Sequence, residues 1–543
     1  MKSNKVFEAK NKILSVNACK KNELYDSMIY WSQKAYNICD ILIDTFSKKG
    51  DIIFDPFLGS GVTLFEAIKN NTKRNAIGCE INDPPIFIIK TILKDRNSRL
   101  TNKRLDQFAE ELTNLNSYYE VSCPNCGKTA IVRSTIFDFI DNNDISLKSS
   151  EIICSCKTKH VEPCPREYKD KINISLNLKN IEDIELIPNS RIAVKAGQHI
   201  SSIFTRRNLM VLDSILELRK NYEDIKDLID YILLSMLHLC KITDTHSNSQ
   251  WPLWIPSVNC VEKNILIIFN KKINQFKKTI SFASKEYKNA KEVSNFSFAQ
   301  NNYRIIQKGI QNITNKDIPD NSIDLVITDP PYLGQVAYSE YMQLYKPFLN
   351  FNINYEDEIV VSSAPSRNKT TEEYFYLLEK AFNVISKKTK ENSYLCLYFH
   401  DASLKVWDRL ITILSNCSFY YVSQVHIKKS NTVKNNLSPK KSMNGDAILF
   451  FAKDPETLQK IKNTAIQTED ISLIEHSIIK EAKFMLKEKK EISTTELYDG
   501  GIMEMLIQNN WITTISKHYT SLVEVFEKYL VWDNSSNTWR LKE

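Results

Sequence analysis

The chain has 543 residues, too many for one ordinary core, so two or three domains are expected. Its 42% hydrophobic and 25% charged content is that of a soluble globular protein, and its formal charge of +7 permits nucleic-acid binding without requiring it. The N-terminal stretch lacks the apolar run of a signal peptide, and the longest apolar segment, Tyr231 to Leu239, is too short to span a bilayer. A cytoplasmic protein is therefore expected, and its twelve cysteines read as metal ligands before they read as disulfides.

In chain order, residues 24–49 read as a helix with Met28, Ala35, Ile38, Ile41 and Leu42 along one face, ended by Lys49-Gly50. Asp51 to Phe54 predicts a buried strand, Val62 to Asn70 a helix, and Asn75 to Cys79 a second strand ending at Glu80. Residues 92–300 read as an insertion. It carries a charged helical opening, a cysteine-containing segment, a helical pair at 205–243 capped by Thr205, an irregular stretch from Asn248 to Pro256, and a helix at 261–293. Strand patterns return at Tyr303 to Ile306 and Ile323 to Thr328, followed by a helix at 371–387 and a strand at Ser393 to Phe399. Trp407 to Leu414 reads as helix. Phe419 to Ile427 and Ala447 to Ala452 form an expected hairpin around a basic loop. Residues 1–91 and 301–455 are thus two parts of one α/β domain, 92–300 an insertion, and 456–543 a helical C-terminal region.

The first segment with chemistry is Asp55-Pro56-Phe57-Leu58-Gly59-Ser60-Gly61, followed by Thr63. Its glycines let the backbone turn tightly and approach a ligand without an intervening Cβ. The helix that follows aims free N–H groups at that ligand. Asp55 can accept from a methionine ammonium, and Glu80 at the next strand end can take both ribose hydroxyls. A cofactor of nucleoside type is expected, bound by Asp55, Pro56, Phe57, Gly59, Ser60, Gly61, Thr63 and Glu80.

The second segment is Asp329-Pro330-Pro331-Tyr332, directly after the strand Leu325 to Thr328. An aromatic exocyclic amine is a poor nucleophile because its lone pair is delocalised into the ring. Asp329 and the Pro330 carbonyl, accepting from its N–H groups, would localise that pair for attack on a sulfonium methyl. The prolines fix the carbonyl in place, and Tyr332 offers a stacking face to a base taken out of its helix. Together the two segments predict an S-adenosylmethionine-dependent amino methyltransferase.

These residues resemble bacterial amino-directed DNA methyltransferases of the type with a zinc ribbon inside the catalytic domain. Asp55 to Glu66 is similar to that family's cofactor motif and Asp329 to Tyr332 to its catalytic motif. Phe204 to Leu209, Val336 to Glu340 and Trp539 to Leu541 resemble further family segments. The resemblance implies a class I, Rossmann-like α/β methyltransferase sheet, seven-stranded and mostly parallel, with a helical, zinc-ribbon-containing insertion that serves target recognition. It implies methyl transfer from S-adenosyl-L-methionine to adenine N6 in double-stranded DNA with the base flipped, and allows a restriction or defence-system partner subunit. Cytosine N4 methylation, guanine N2 methylation of transfer RNA and a catalytically silent DNA-binding subunit are the alternatives. Ile310 stands where related enzymes often carry an acid near the cofactor adenine.

Cys123-Pro-Asn-Cys126 reads as a zinc knuckle that Cys154-Ser-Cys156 could complete as a four-thiolate structural zinc site, with Cys164 or His160 as substitutes for one ligand; incidental thiols and a ribbon that has lost its metal are the alternatives. His160-Val-Glu162 and Pro163-Cys164 imitate a zinc deaminase signature, but Glu167 replaces its second cysteine and excludes that reading. Lysines 428, 429, 434, 440 and 441 mark the basic loop as a phosphate-facing candidate. Arg206 and Arg207 at a helix start oppose the dipole, which hints at an anionic partner. His400-Asp401 is a strand-end candidate for the pocket wall.

Overall fold

The computed structural model describes residues 2–542 apart from 142–143, 246–251, 400, 428–439, 441–444, 455, 458, 460–462, 464 and 467. His400, Asn248 to Trp251 and Lys428, Lys429, Lys434 and Lys441 therefore lie outside the described residues.

The strands are β1 (Ile52–Asp55), β2 (Asn75–Cys79), β3 (Glu120–Ser122), β4 (Thr129–Asp141), β5 (Asp144–Ile153), β6 (His160–Val161) and β7 (Cys260–Lys263). They continue with β8 (Lys291–Glu292), β9 (Asn302–Ile306), β10 (Ile323–Thr328), β11 (Thr389–Phe399), β12 (Tyr420–Ile427) and β13 (Asp446–Ala452), and end with β14 (Leu530–Asp533) and β15 (Thr538–Leu541). The central sheet has the order β12-β13-β11-β10-β1-β2-β9-β8. Neighbours from β8 to β11 pair in parallel, and β13 runs antiparallel to both β11 and β12. The fold is a mixed α/β architecture with a mostly parallel sheet.

Period-two alternation puts an apolar layer on each face. Along β11, Tyr394, Cys396 and Tyr398 join one core while Leu395, Leu397 and Phe399 join the other. The innermost strands, β1 and β2, are buried throughout, as expected for parallel strands covered on both faces. One core is continuous with the helices Arg206–Arg219, Lys226–Cys240 and Ile265–Glu286 of the insertion, through Leu209, Leu233 and Phe269. The other continues into the C-terminal helices through Ile478, Leu506 and Phe526.

Several sequence expectations are corrected. The sheet has eight strands rather than seven, because the exposed two-residue β8 pairs the edge of β9 with no apolar signal to announce it. Helix is confined to Tyr36–Phe46. Residues 24–35 are irregular, although Leu24, Tyr25 and Met28 are buried in the core. The helix expected from 261 begins at Ile265 with Asn264 as its N-cap, and Cys260–Lys263 instead pairs with β4 in the five-stranded cysteine-bearing sheet.

Thr205 does cap its helix, accepting from Asn208 N at 3.2 Å. The unfavourable cation behind it has an internal explanation. Arg207 is buried, pairs with the equally buried Glu262 through Nε (3.1 Å) and Nη2, and lies 4.9 Å from the centre of the Tyr119 ring. A carboxylate on β7 pairs with it inside the protein, while its Nη1 has no hydrogen-bond partner among the described residues and Arg206 beside it is exposed.

Candidate active site

Sheet order brings together turns that 267 residues separate in the chain. β1 lies between β2 and β10, with Asp55 opposite Gly78 and Phe54 opposite Val326. The glycine turn after β1, Glu80 after β2 and Asp329 after β10 consequently emerge at one edge, the carboxyl end of the parallel strands. Open α/β sheets place ligands there. They line a cavity of about 780 Å³, open solvent at its mouth included.

Of the expected cofactor residues, Pro56, Phe57, Gly59, Ser60 and Glu80 line this cavity. Of the expected catalytic residues, Asp329 and Pro331 do so. Asp55 lies behind the wall. Its Oδ2 accepts from the Lys34 ammonium at 3.0 Å, and its Oδ1 accepts from Thr328 Oγ1 at 2.9 Å and Phe57 N at 3.2 Å. Gly61, Thr63, Pro330 and Tyr332 are also off the wall. Thr63 is buried in the short helix Val62–Ala67, with its Oγ1 unpaired. Tyr332 turns its hydroxyl to Asp329 Oδ1 and sets its ring edge-on to Phe399, so its ring is a support for the carboxylate rather than an open platform. Tyr374 Oη donates to Pro331 O at 2.7 Å and clamps the same turn.

Glu80 closes the glycine turn. Its Oε2 accepts from Gly59 N at 3.0 Å, and its Oε1 accepts from Ile81 N and Asn82 N at 2.9 and 3.0 Å. Burial pushes its carboxyl up to about 7, against the pull of those three N–H groups. Glu358 also lines the cavity and is raised by burial, while Arg367 pairs with it at 2.7 Å. Asp357 adds a further carboxylate. Against these, Lys34 is committed to Asp55 and Lys308 pairs with Asp317 at 2.7 Å. The cavity has a surplus of acid, which suits a cationic ligand.

Sequence reasoning missed the segment before the first strand. Tyr30, Gln33 and Lys34 all line the cavity. Tyr30 covers Gly59, Gln33 Nε2 donates to Ser60 Oγ at 3.4 Å, and Lys34 holds Asp55. A helical reading of 24–49 hid this strap, and no local motif marks it. Tyr338, stacked on Tyr30 with ring centres 5.5 Å apart, was equally silent. Lys308 to Gln311 complete one wall, so Ile310 does stand beside the cavity.

In the insertion, Cys123, Cys126, Cys154 and Cys156 gather with all four Sγ atoms within 4.8 Å of one another. The shortest separations are 3.4, 3.5 and 3.6 Å. Cys164 instead donates to Ser150 Oγ at 3.3 Å, and His160 pairs with Glu162 at 3.1 Å, so neither joins the cluster.

A mostly parallel sheet thus carries a glycine turn and an acid-proline-proline-aromatic turn at the same strand ends. A family model described as DNA methylase matches residues 2–90 and 323–528, more than half of the chain. The protein belongs to that family, which methylates adenine N6 or cytosine N4 in DNA. No curated protein matches the chain.

Gly59 has φ +51°, and a Cβ built there would stand 2.7 Å from the Tyr30 ring. Gly59→Ala should destabilise the protein by more than about 1 kcal/mol, because both the backbone and the steric fit are violated. Adding Tyr30→Ala should relieve the steric part only. Urea denaturation of the two variants checks this, and full recovery in the double variant would remove the backbone argument.

Proposed function

We propose that the protein transfers the methyl group of S-adenosylmethionine to adenine N6 in DNA. The observation that carries the reading is the convergence of Gly59, Ser60, Glu80 and Asp329 on one acid-rich cavity. A class I methyltransferase sheet is the fold this arrangement supports, with the insertion as the surface for target recognition.

The residues fit the cofactor on two counts. A side chain at Gly59 would collide with Tyr30, so the turn is kept bare where a ligand must approach. Glu80 Oε2 accepts a single N–H, which leaves capacity for a ribose hydroxyl. When bound, the cofactor supplies a methyl group activated by a sulfonium. Asp329, oriented by the Tyr332 hydroxyl, and the Pro330 carbonyl accept from the N–H groups of the target amine and localise its lone pair. Gly59, Ser60 and Glu80 would hold the cofactor, which would supply the methyl carbon to that nitrogen while its sulfur kept the electron pair of the bond given up. Asp329 then holds the departing amine proton for release to solvent. Adenine is preferred because the motif begins with Asp, where the resemblance gives cytosine N4 enzymes Ser more often.

The test is methyl transfer from labelled S-adenosylmethionine to unmethylated genomic DNA and, in parallel, to transfer RNA, with separation of the product nucleosides. N6-methyladenine should form, and Asp329→Ala should slow it about 100- to 1,000-fold. N4-methylcytosine would keep the mechanism and change the base. Label in RNA guanine would overturn the substrate. Cofactor binding with no label in either would favour a silent subunit.

Glu80 gives a pH prediction. A ribose hydroxyl donating to it favours the carboxylate, so ligand binding lowers the pKa from about 7 and expels a proton. Affinity for S-adenosylhomocysteine should therefore rise with pH up to about 7 and level off above it. Calorimetry on either side of neutrality should show that rise, and Glu80→Gln should flatten it.

We also propose that the cysteine cluster holds a structural zinc. Four thiolates at a zinc–sulfur distance of about 2.3 Å form a tetrahedron with edges of about 3.8 Å, close to the separations here. Metal analysis should give one zinc per chain. Cys126→Ser should lose it and lower the thermal stability, with S-adenosylhomocysteine binding retained.

A further inference from the structure

The insertion reaches the catalytic turn through a short, firmly anchored stretch. Ser190–Ile192 is a single 3₁₀ turn. Asn189, which precedes it, is buried, and its Oδ1 accepts from Arg191 N at 2.9 Å. The Asn189 Nδ2 donates across to Glu340, a fully buried carboxylate that also binds Arg367 at 2.8 Å and the Ser362 hydroxyl. Two residues earlier, Ile187 N donates to Gln343 Oε1 at 2.6 Å. Glu340 and Gln343 lie in the segment that follows Asp329 to Tyr332. Buried polar bonds of this kind are costly to break, so the turn is fixed relative to the catalytic half.

What that anchoring presents is Arg191. Its side chain is exposed, and its guanidinium lies against Gly334, two residues past Tyr332. A Cβ at Gly334 would stand 2.5 Å from Arg191 Nη1 and 2.3 Å from Val361 O, so the bare backbone there is what admits the arginine. Among the described residues no carboxylate pairs with it. The buried arginines differ: Arg207 has Glu262, and Arg367 has Glu340 and Glu358. An exposed, unpaired guanidinium is thus held beside a turn whose own cavity is acidic. A polyanion would be repelled by that cavity without a neighbouring cation.

We propose that Arg191 binds a phosphate of the DNA strand next to the target nucleotide. The planar guanidinium matches phosphate oxygens. The contact fixes the strand where the amine must meet Asp329, and Asn189 acts on it as a positioning residue through the Arg191 backbone. The inference rests on the DNA methylation reading.

The test uses a fluorescein-labelled random-sequence duplex, titrated by anisotropy over a salt series with S-adenosylhomocysteine present. Neutralising one phosphate contact in Arg191→Ala should make the slope of log K against log[salt] shallower by about 0.9. Arg191→Lys should keep the wild-type slope, and calorimetric affinity for S-adenosylhomocysteine should be unchanged in both. An unchanged slope in Arg191→Ala overturns the proposal. So does equal weakening in the alanine and lysine variants, which would mean packing rather than charge. If the slope changes as expected but wild-type protein methylates no genomic DNA, the phosphate contact stands and the methylation reading fails.

Discussion

Everything at the active end of the sheet depends on one buried carboxylate. Asp55 ends a central strand at 1% exposure, where an ionised group without partners would be untenable. Its partners come from three parts of the chain: Lys34 before the strand, the Phe57 N–H in the turn after it, and Thr328 at the end of β10. Satisfying that carboxylate therefore draws the N-terminal strap, the glycine turn and the catalytic strand to one point. A buried ion pair of this sort contributes little net stability, but it discriminates strongly against arrangements that leave either charge alone.

The same economy recurs around the cavity. Glu80 binds three backbone N–H groups and so sets the shape of the turn that carries Gly59 and Ser60. Arg367 sits between Glu340 and Glu358, joining the segment after the catalytic turn to the cavity wall. Asn189 extends that set into the insertion. Each link is a charged or polar group that has lost water and found a fixed partner instead. The acid left facing the cavity is consistent with a cationic cofactor, and the cation held outside it, Arg191, is consistent with an anionic strand.

Much of the fold was legible because strands and turns write themselves locally. The runs at 51–54, 75–79, 303–306, 323–328, 393–399, 419–427 and 447–452 each became a strand of the main sheet, within a few residues. Apolar period and bounding turns suffice for that. The four clustered cysteines were legible too, since a C-x-x-C turn brings its own thiols together. Where the reading failed, the signal was local but the cause was not. Met28 and Ala35 have helical spacing, yet they are buried along an irregular strap. Arg207 looked like a cation awaiting an anion because Glu262 lies far along the chain.

The sequence by itself determined that a glycine turn and an acid-proline-proline-aromatic turn each follow a buried strand, because those features need only near neighbours and backbone geometry. Only the tertiary structure decided which of their side chains face the cavity. It turned Asp55 to Lys34, gave the Tyr332 hydroxyl to Asp329, and put Tyr30, Gln33 and Arg191 beside groups far away in the chain. The physical reason is that a buried polar group accepts whichever partner the sheet order delivers, and sheet order is a property of the whole chain.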